Sequence, residues 1–292
     1  MSNRVGTGQF LAWDGGCLFI GRHESAVPVH SHQAMQLVVG RNASPLIRAG
    51  DGAPWSEFSA ALIPSRQRHG IDVTSADYGA VLFVEPETKE GRAVAERYLR
   101  NGIAEVGGAA VRLAADHLFE TWLGQKDKTT ITTAARALVH TLSEGVEPSV
   151  VTDERIVRAV AFIGANLASA LTLDQVASRV FLSPSRFRHL FAEQTGMALR
   201  PYILWRRFLH IWDLLMRGET LSTAAHAAGF ADAAHLTRTS KRMFGFAPSA
   251  MELVASPPTA RASGTDAAVN SRIAPPRAGS RTSTAPRRTA SS

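Results

Sequence analysis

The sequence predicts an α+β chain, with a sheet-rich first part, a short helical stretch, and an all-helical last part ahead of a low-complexity tail. Three observations carry that prediction. Between residues 8 and 85, short apolar runs alternate with Gly, Pro, Asn and Asp, the pattern of short strands joined by turns. From Glu87 onward the apolar residues recur at 3–4 spacing, the period of a helix with one buried face. Residues 256–292 are rich in Ser, Thr, Ala, Pro and Arg and hold no aromatic residue. Such a stretch has too little apolar surface to offset the entropy of ordering it, and disorder is expected there.

The strands come first. Leu18 to Ile20, Met35 to Val39, Ala60 to Ile63 and Ala80 to Val84 are the clearest apolar runs, and six or more strands at this spacing suggest a small sandwich or barrel. Helices are expected over about 88–100, 108–123 and 129–143. The 4-3-4 seams Val111, Ala115, Leu118, Trp122 and Ile131, Ala135, Leu138, Leu142 let two helices lie side by side. Those seams fit either a core within one chain or a seam between two copies. Gly145 to Asp153 lacks a period and contains Pro and Gly. The expected organisation is therefore a sensor and dimerisation domain over 8–143, a linker over 144–152, a wholly helical domain over 153–254, and an Arg-rich tail over 255–292.

Composition narrows the function classes. Of the 292 residues, 45% are hydrophobic and 20% charged, as in ordinary globular proteins. No apolar run approaches the ~18–20 residues that span a bilayer, and the opening MSNRVGTGQF has no apolar leader core. The single cysteine, Cys17, excludes an internal disulfide and a multi-cysteine zinc site. A cytoplasmic protein is expected. The net charge of +7 is unevenly placed: −2 over residues 1–149, +4 over 150–255 and +5 over 256–292. A basic C-terminal half points to a polyanion, with nucleic acid first.

The helical region carries the strongest motif. Asp153 and Glu154 suit the positive end of a helix, and Ile156, Val160, Ile163 and Leu167 give that helix one apolar face. Thr172 to Gln175 is a capping box opening a short helix. Ser183-Pro184 then starts a second helix, with Ser at the cap and Pro at the first turn. Phe187, Leu190 and Phe191 face inward there, leaving Ser185, Arg186, Arg188 and His189 outward. A short helix, a tight turn and a helix with a basic outer face form a helix-turn-helix. A second unit follows: Ser222 is expected to cap the short helix, Gly229-Phe230 makes the turn, and Asp232 caps a helix with Leu236 and Phe244 inward. Pro248 starts a last short helix. Between the units, a helix over about 199–217 measures roughly 28 Å at ~1.5 Å per residue, against ~34 Å between successive major grooves.

These residues resemble the AraC-type transcription regulators over about 153–252. The likeness runs through Ser183-Pro184, Leu190-Phe191, Thr195-Gly196-Met197, Tyr202, Arg207 and Leu214-Leu215. It continues through Ala228-Gly229-Phe230, Asp232, His235, Arg238, Lys241, Phe244-Gly245 and Pro248. The resemblance implies a sequence-specific DNA-binding regulator, with activation the commoner sign. It also implies that Ser185, Arg186, Arg188, His189, Ala234, His235, Thr237 and Arg238 read bases, with Lys241 and Arg242 placed for phosphates. The implied partners are double-stranded DNA, a small-molecule effector, RNA polymerase and a second copy of the chain. Three positions depart from the family pattern: Leu236 and Ser240 stand where Phe is usual, and Ile211 where Ala is usual. Ser240 is expected to loosen the second unit, offset by Trp205, Phe208, Ile211 and Trp212 on the bridging helix.

The N-terminal histidines form a second pattern. On one continuous strand, His30, His32 and Gln36 would share a face, with Val29, Met35, Leu37 and Val39 opposite. Pro64 and His69 follow about thirty residues later. Together these resemble a cupin barrel over about 10–85, the common sensor partner of the AraC-type module. The cupin metal pattern has Glu where this chain has Gln36, so the expectation is no metal and no cofactor. His30, His32, Gln36, Trp55, Arg66 and His69 are instead candidate effector-pocket residues, with Trp13 and Arg68 beside them. An enzyme is not expected. The alternatives kept open are a cupin metalloenzyme fused to a DNA-binding module, a methyl acceptor at Cys17 (which lacks neighbouring bases to lower its pKa), and a regulator whose barrel only dimerises.

Overall fold

The computed structural model describes residues 4–13, 15–86, 88–144 and 153–257. Its first nine strands are β1 (Gly6–Trp13), β2 (Gly16–His23), β3 (Val27–His30), β4 (Met35–Arg41), β5 (Leu46–Arg48), β6 (Trp55–Glu57), β7 (Ala60–Ile63), β8 (His69–Asp72) and β9 (Tyr78–Val84). Two more, β10 (Ala104–Glu105) and β11 (Met251–Leu253), come later in the chain. They form a seven-stranded sheet in the order β10-β7-β4-β9-β2-β1-β11 and a four-stranded sheet in the order β3-β8-β5-β6. The N-terminal part is thus sheet-rich and followed by helices, as expected from the turn-punctuated apolar runs.

The central strands read as continuous apolar runs because both of their faces are covered. Side chains alternate along a strand, and the alternation sorts them into two cores. Leu18, Ile20, Leu37, Val39, Leu62, Leu82 and Val84 face one way, onto three helices. These are α1 (Lys89–Tyr98), α2 (Ala109–Leu123) and α3 (Lys128–Ser143). Cys17, Phe19, Val38, Ala61, Ile63, Val81 and Phe83 face the other way, toward Ile47 and Ile71 of the smaller sheet. Thr88 and Asp127 cap α1 and α3, accepting from the amides of Gly91 and Thr130. Every residue of the two 4-3-4 seams is buried within this one chain. The seams are core, and the apolar surface that suggested a second copy is used up.

The helical part contains α4 (Glu154–Ala165), α5 (Leu173–Arg179), α6 (Pro184–Thr195), α7 (Leu199–Met216), α8 (Leu221–Ala227) and α9 (Ala233–Phe244). The expected wholly helical stretch is interrupted at its end. Pro248–Ala250 is a single 3-10 turn, and Met251–Leu253 becomes β11, pairing in parallel with Gly6 to Gly8 of β1. Nothing local marks this strand, because its partner lies about 245 residues away in sequence and supplies an open sheet edge. Most of the expected linker, and the tail from residue 258, lie outside the described residues.

The sheets and the second helix-turn-helix share one core. Trp205, Phe208, Ile211 and Trp212 of α7 and Leu236, Met243 and Phe244 of α9 pack with Phe10, Phe19 and Phe83. Rings meet edge to face between Phe19 and Trp212 at 5.0 Å and between Phe208 and Phe244 at 5.0 Å, an orientation aromatic quadrupoles favour. The first helix-turn-helix has its own smaller core around Phe187, Phe191 and Tyr202. Among the described residues, no helix is long and apolar enough to cross a membrane.

Candidate nucleic-acid interface and the buried histidine cluster

In the first unit, Thr172 and Gln175 form the expected capping box at the start of α5. Ser183 caps α6, its hydroxyl accepting from the Arg186 amide, with Pro184 in the first turn. The turn between them is made by Phe181 at φ +57, a residue 92% exposed. Phe187 and Phe191 are buried, and Ser185, Arg186, Arg188 and His189 are all exposed. The helix stops at Gly196, in the left-handed conformation.

In the second unit, Thr220 caps α8, its hydroxyl accepting from the Thr223 amide at 3.1 Å. The cap is therefore two residues earlier than Ser222, because Gly218 at φ +86 ends α7 and turns the chain there. Asp232 caps α9, accepting from the His235 amide at 2.6 Å. Ala234, His235, Arg238, Lys241 and Arg242 are exposed, Thr237 is half-buried, and Leu236 and Phe244 are buried. Ser240 is fully buried, its hydroxyl donating to the Phe246 carbonyl at 2.9 Å. Phe246 packs beside Phe244 and Trp212, so an aromatic ring reaches this core from beyond the helix end and the unit is not left loose.

The 18 residues of α7 extend about 27 Å and join the two units. Arg207 fixes that junction. Its guanidinium donates to the carbonyls of Leu167 (2.9 Å) and Ser169 (2.9 Å) after α4 and of Gly229 (3.2 Å) in the second turn. Gly229 sits at φ +74 with the Leu167 and Ala168 carbonyls and Arg207 within 2.9 Å of where a Cβ would stand, so only glycine fits.

The structure brings His30, His32, His69 and Gln36 together, by a route other than one continuous strand. His30 ends β3, His32 lies in the following loop, Gln36 is the second residue of β4 and His69 begins β8. The potential donor nitrogens of the three rings all lie within 4.8 Å of one another. Each Nδ1 faces a backbone carbonyl: Pro28 for His30 (2.8 Å), Ala34 for His32 (2.9 Å) and Gln67 for His69 (2.8 Å). Burial keeps the rings neutral, pushing His30 down to about 3, His69 to about 4 and His32 well below its usual value. A neutral ring has one N–H, and the carbonyls claim it at Nδ1. Each Nε2 is then a lone-pair nitrogen. Gln36 Oε1 nonetheless stands 2.7 Å from Nε2 of both His32 and His69, acceptor against acceptor. Either the amide is turned so that its NH₂ donates to both rings, or a cation belongs among these atoms. Imidazoles fixed at Nδ1 by backbone carbonyls, with an amide oxygen beside them, are a donor set that fits a first-row divalent metal.

The remaining pocket candidates stand apart. Trp55 lies on β6 with the Arg48 guanidinium 4.4 Å over its ring. Arg66 is exposed at φ +63, and only its backbone approaches the cluster, donating to the His32 carbonyl at 2.7 Å. Arg68 is exposed and pairs with Asp51, and Trp13 is half-buried beside Gly16 and Thr88. The cavity next to His30 and Gln36, walled by Phe19, Phe83, Phe244 and Phe246, holds only about 40 Å³. A larger cleft of about 610 Å³ lies elsewhere, between β10 and the ends of α1–α3. It is open to solvent, and of its two acids, Glu105 and Glu144, the first is already engaged by Ser59 and Gly107. Sequence reasoning passed over Glu85, buried at 2% exposure. It accepts from Trp205 Nε1 at 3.2 Å and pairs with Arg206 at 3.3 Å, tying β9's end to α7. An acid following an apolar strand gives no sign of that in sequence.

Two helix-turn-helix units in series on one bridging helix, each presenting a basic exposed helix, define a double helix-turn-helix DNA-binding domain. Comparison with known proteins agrees. Residues 176–252 match the family described as "Helix-turn-helix domain". The regulatory protein PocR of Salmonella typhimurium is 26% identical over 99 residues, 34% of this chain and 33% of PocR. The arabinose operon regulatory protein of Escherichia coli is 31% identical over 113 residues, 37% of each chain. The match thus spans about a third of the length of these curated relatives. In fold, the chain is similar to ToxT of Vibrio cholerae, with a TM-score of 0.55 at 11% identity, covering 82% of this chain and 97% of that one. Residues 176–252 are a helix-turn-helix domain similar to part of these regulatory proteins.

Proposed function

We propose that this chain is a sequence-specific DNA-binding transcription regulator whose two recognition helices, α6 and α9, occupy adjacent major grooves. One observation carries the reading: both helices expose their basic residues while Phe187, Phe191, Leu236 and Phe244 are buried, and the two units are joined by α7, itself about 27 Å long against the ~34 Å groove repeat. Arg186 and Arg238 are the residues suited to bidentate pairing with guanine. Ser185, Arg188, His189, Ala234, His235 and Thr237 contribute the remaining base contacts, and Lys241 and Arg242 hold phosphates.

The sheet-rich part, a cupin-like barrel in this reading, senses an effector and passes its state to α7 and α9 through the shared core. The ~40 Å³ beside His30 and Gln36 is far below the ~300–1,000 Å³ of organic-ligand pockets, which favours a very small effector. The protein acts as an activator in the cytoplasm, without enzymatic activity, and contacts RNA polymerase. Its two units in one chain already suffice for two grooves, so a homodimer would serve to occupy further sites.

The test is selection of bound fragments from pooled genomic DNA by the full chain, beside the double variant Arg186→Ala/Arg238→Ala. Enrichment of two half-elements about one helical turn apart, lost in the variant, is the expected result. Equal binding by both proteins without sequence preference would refute the assignment.

A further inference from the structure

Arg207 stands at the middle of α7, where that helix passes from one core to the other. Leu199, Tyr202 and Ile203 pack with Ile163, Phe187 and Phe191 of the first unit. Trp205, Phe208 and Trp212 pack with Phe230, Leu236 and Phe244 of the second. Each helix-turn-helix therefore grips its own half of α7. Apolar packing of that kind is non-directional, and it sets the rotation of one unit about α7 relative to the other only weakly.

The Arg207 guanidinium supplies the direction. Its Nε and Nη2 donate to the carbonyls of Leu167 and Ser169, each at 2.9 Å, in the segment leading from α4 into α5. Its Nη1 donates to the Gly229 carbonyl at 3.2 Å, three residues ahead of Asp232, the cap of α9. One planar fork thus holds backbone from both units at fixed angles, which a flexible ammonium does not do. The first segment is tied onward to α6, because Ile156 and Ile163 of α4 share a core with Phe187 and Phe191. The two backbones also meet directly: a Cβ on Gly229 would stand 2.8 Å from the Ala168 carbonyl oxygen and 2.9 Å from that of Leu167. Arg207 itself lies on neither recognition helix.

We propose that Arg207 is a positioning residue that sets the permitted spacing between the two DNA half-elements, by fixing how α6 and α9 are turned relative to each other. The proposal rests on the DNA-binding reading above and adds to it a determinant of specificity that touches no base. Inserting one base pair between the half-elements moves the second by about 3.4 Å and turns it by about 34° around the duplex axis. A locked pair of recognition helices cannot follow both displacements, so one helix loses its base contacts. A pair free to rotate about α7 follows part of the way.

The experiment uses the full chain and duplexes carrying the selected element, with one base pair inserted or deleted between its halves. Wild type should lose about 5–150-fold in affinity on the shifted duplexes, the worth of one good bidentate base contact. Arg207→Met keeps the stem and removes the fork. It should bind the parent element more weakly and shrink the loss on the shifted duplexes by about 2–12-fold, the net worth of one hydrogen bond. Destabilisation alone removes active protein and weakens every duplex by the same factor, leaving the parent-to-shifted ratio where it was. Because Arg207→Met could fail to fold, Arg207→Lys is the second arm: it keeps the charge, lacks the fork, and should give an intermediate ratio, with circular dichroism confirming native helix. A ratio equal to that of wild type in the folded Met variant, or in the Lys variant where the Met variant does not fold, overturns the proposal. A wild type indifferent to the shift also overturns it, while its sequence preference leaves the regulator reading intact. Absence of any sequence preference in wild type is instead the failure of that reading, and the spacing proposal falls with it.

Discussion

At the scale of single residues, Ser240 shows how a departure from a family pattern is absorbed. The position is fully buried, its hydroxyl satisfies the Phe246 carbonyl, and the ring of Phe246 packs on Trp212 and Phe244. Replacing Ser240 with Phe, the family's usual residue, should therefore destabilise the chain by about 1–3 kcal/mol, because the space is already filled; urea denaturation would show the midpoint fall. Ser240→Ala should cost about 1 kcal/mol, the scale of one buried hydrogen bond. At the DNA surface, Arg186→Ala alone should weaken binding to the selected element by about 1–3 kcal/mol and relax preference at one base pair, whereas Lys241→Ala should weaken all sequences alike and flatten the salt dependence. Anisotropy titrations against matched and mismatched duplexes at two salt concentrations separate the two behaviours. The outward residues of α6 were legible in sequence because amphipathic spacing and the Ser-Pro cap set which side faces out. Gln36 was legible beside His32, four residues away, but its contact with His69 was not, since that one depends on a strand 33 residues further on.

At the scale of elements, the caps were read well where they are local and missed where the preceding backbone decides. Thr172, Ser183 and Asp232 cap as expected, while α8 begins earlier than Ser222 because a glycine turn precedes it. Asp153 caps α4, and its carboxyl is drawn down to about 2, chiefly by hydrogen bonds from the Arg155 guanidinium. A carboxyl lowered in the folded state stabilises at pH values above its unfolded pKa near 3.8, and that contribution is lost as pH falls from about 4 toward 2. Wild type and Asp153→Asn should thus differ in denaturation midpoint at pH 6 and converge by pH 2. A difference that persists unchanged at pH 2 would show that the carboxylate charge plays no part. β11 is the element sequence could not supply: three residues become a strand only because β1 presents an unpaired edge.

At the scale of the whole molecule, the described N- and C-terminal parts behave as one body, residues 4–257 clustering together. Glu85, Trp205 and Arg206 lie at that junction. Glu85→Ala should cost roughly 1.5–3 kcal/mol, the range for a hydrogen bond to a charged group, and should be felt by probes in both parts. Calorimetry of the full chain should accordingly give one principal unfolding transition rather than two; two well-separated transitions would show that the core is not shared. The seams on α2 and α3 make the same point, for their period told that they are buried but not against what. The sequence by itself determined the strand-then-helix order, the paired helix-turn-helix units and their basic outer faces, because period, caps and charge are encoded within a few residues. Only the tertiary structure decided that the seams are core, that β11 closes a sheet edge, and that the histidine and glutamine cluster packs against the end of α9. Those depend on contacts between segments tens to hundreds of residues apart, which no local pattern records.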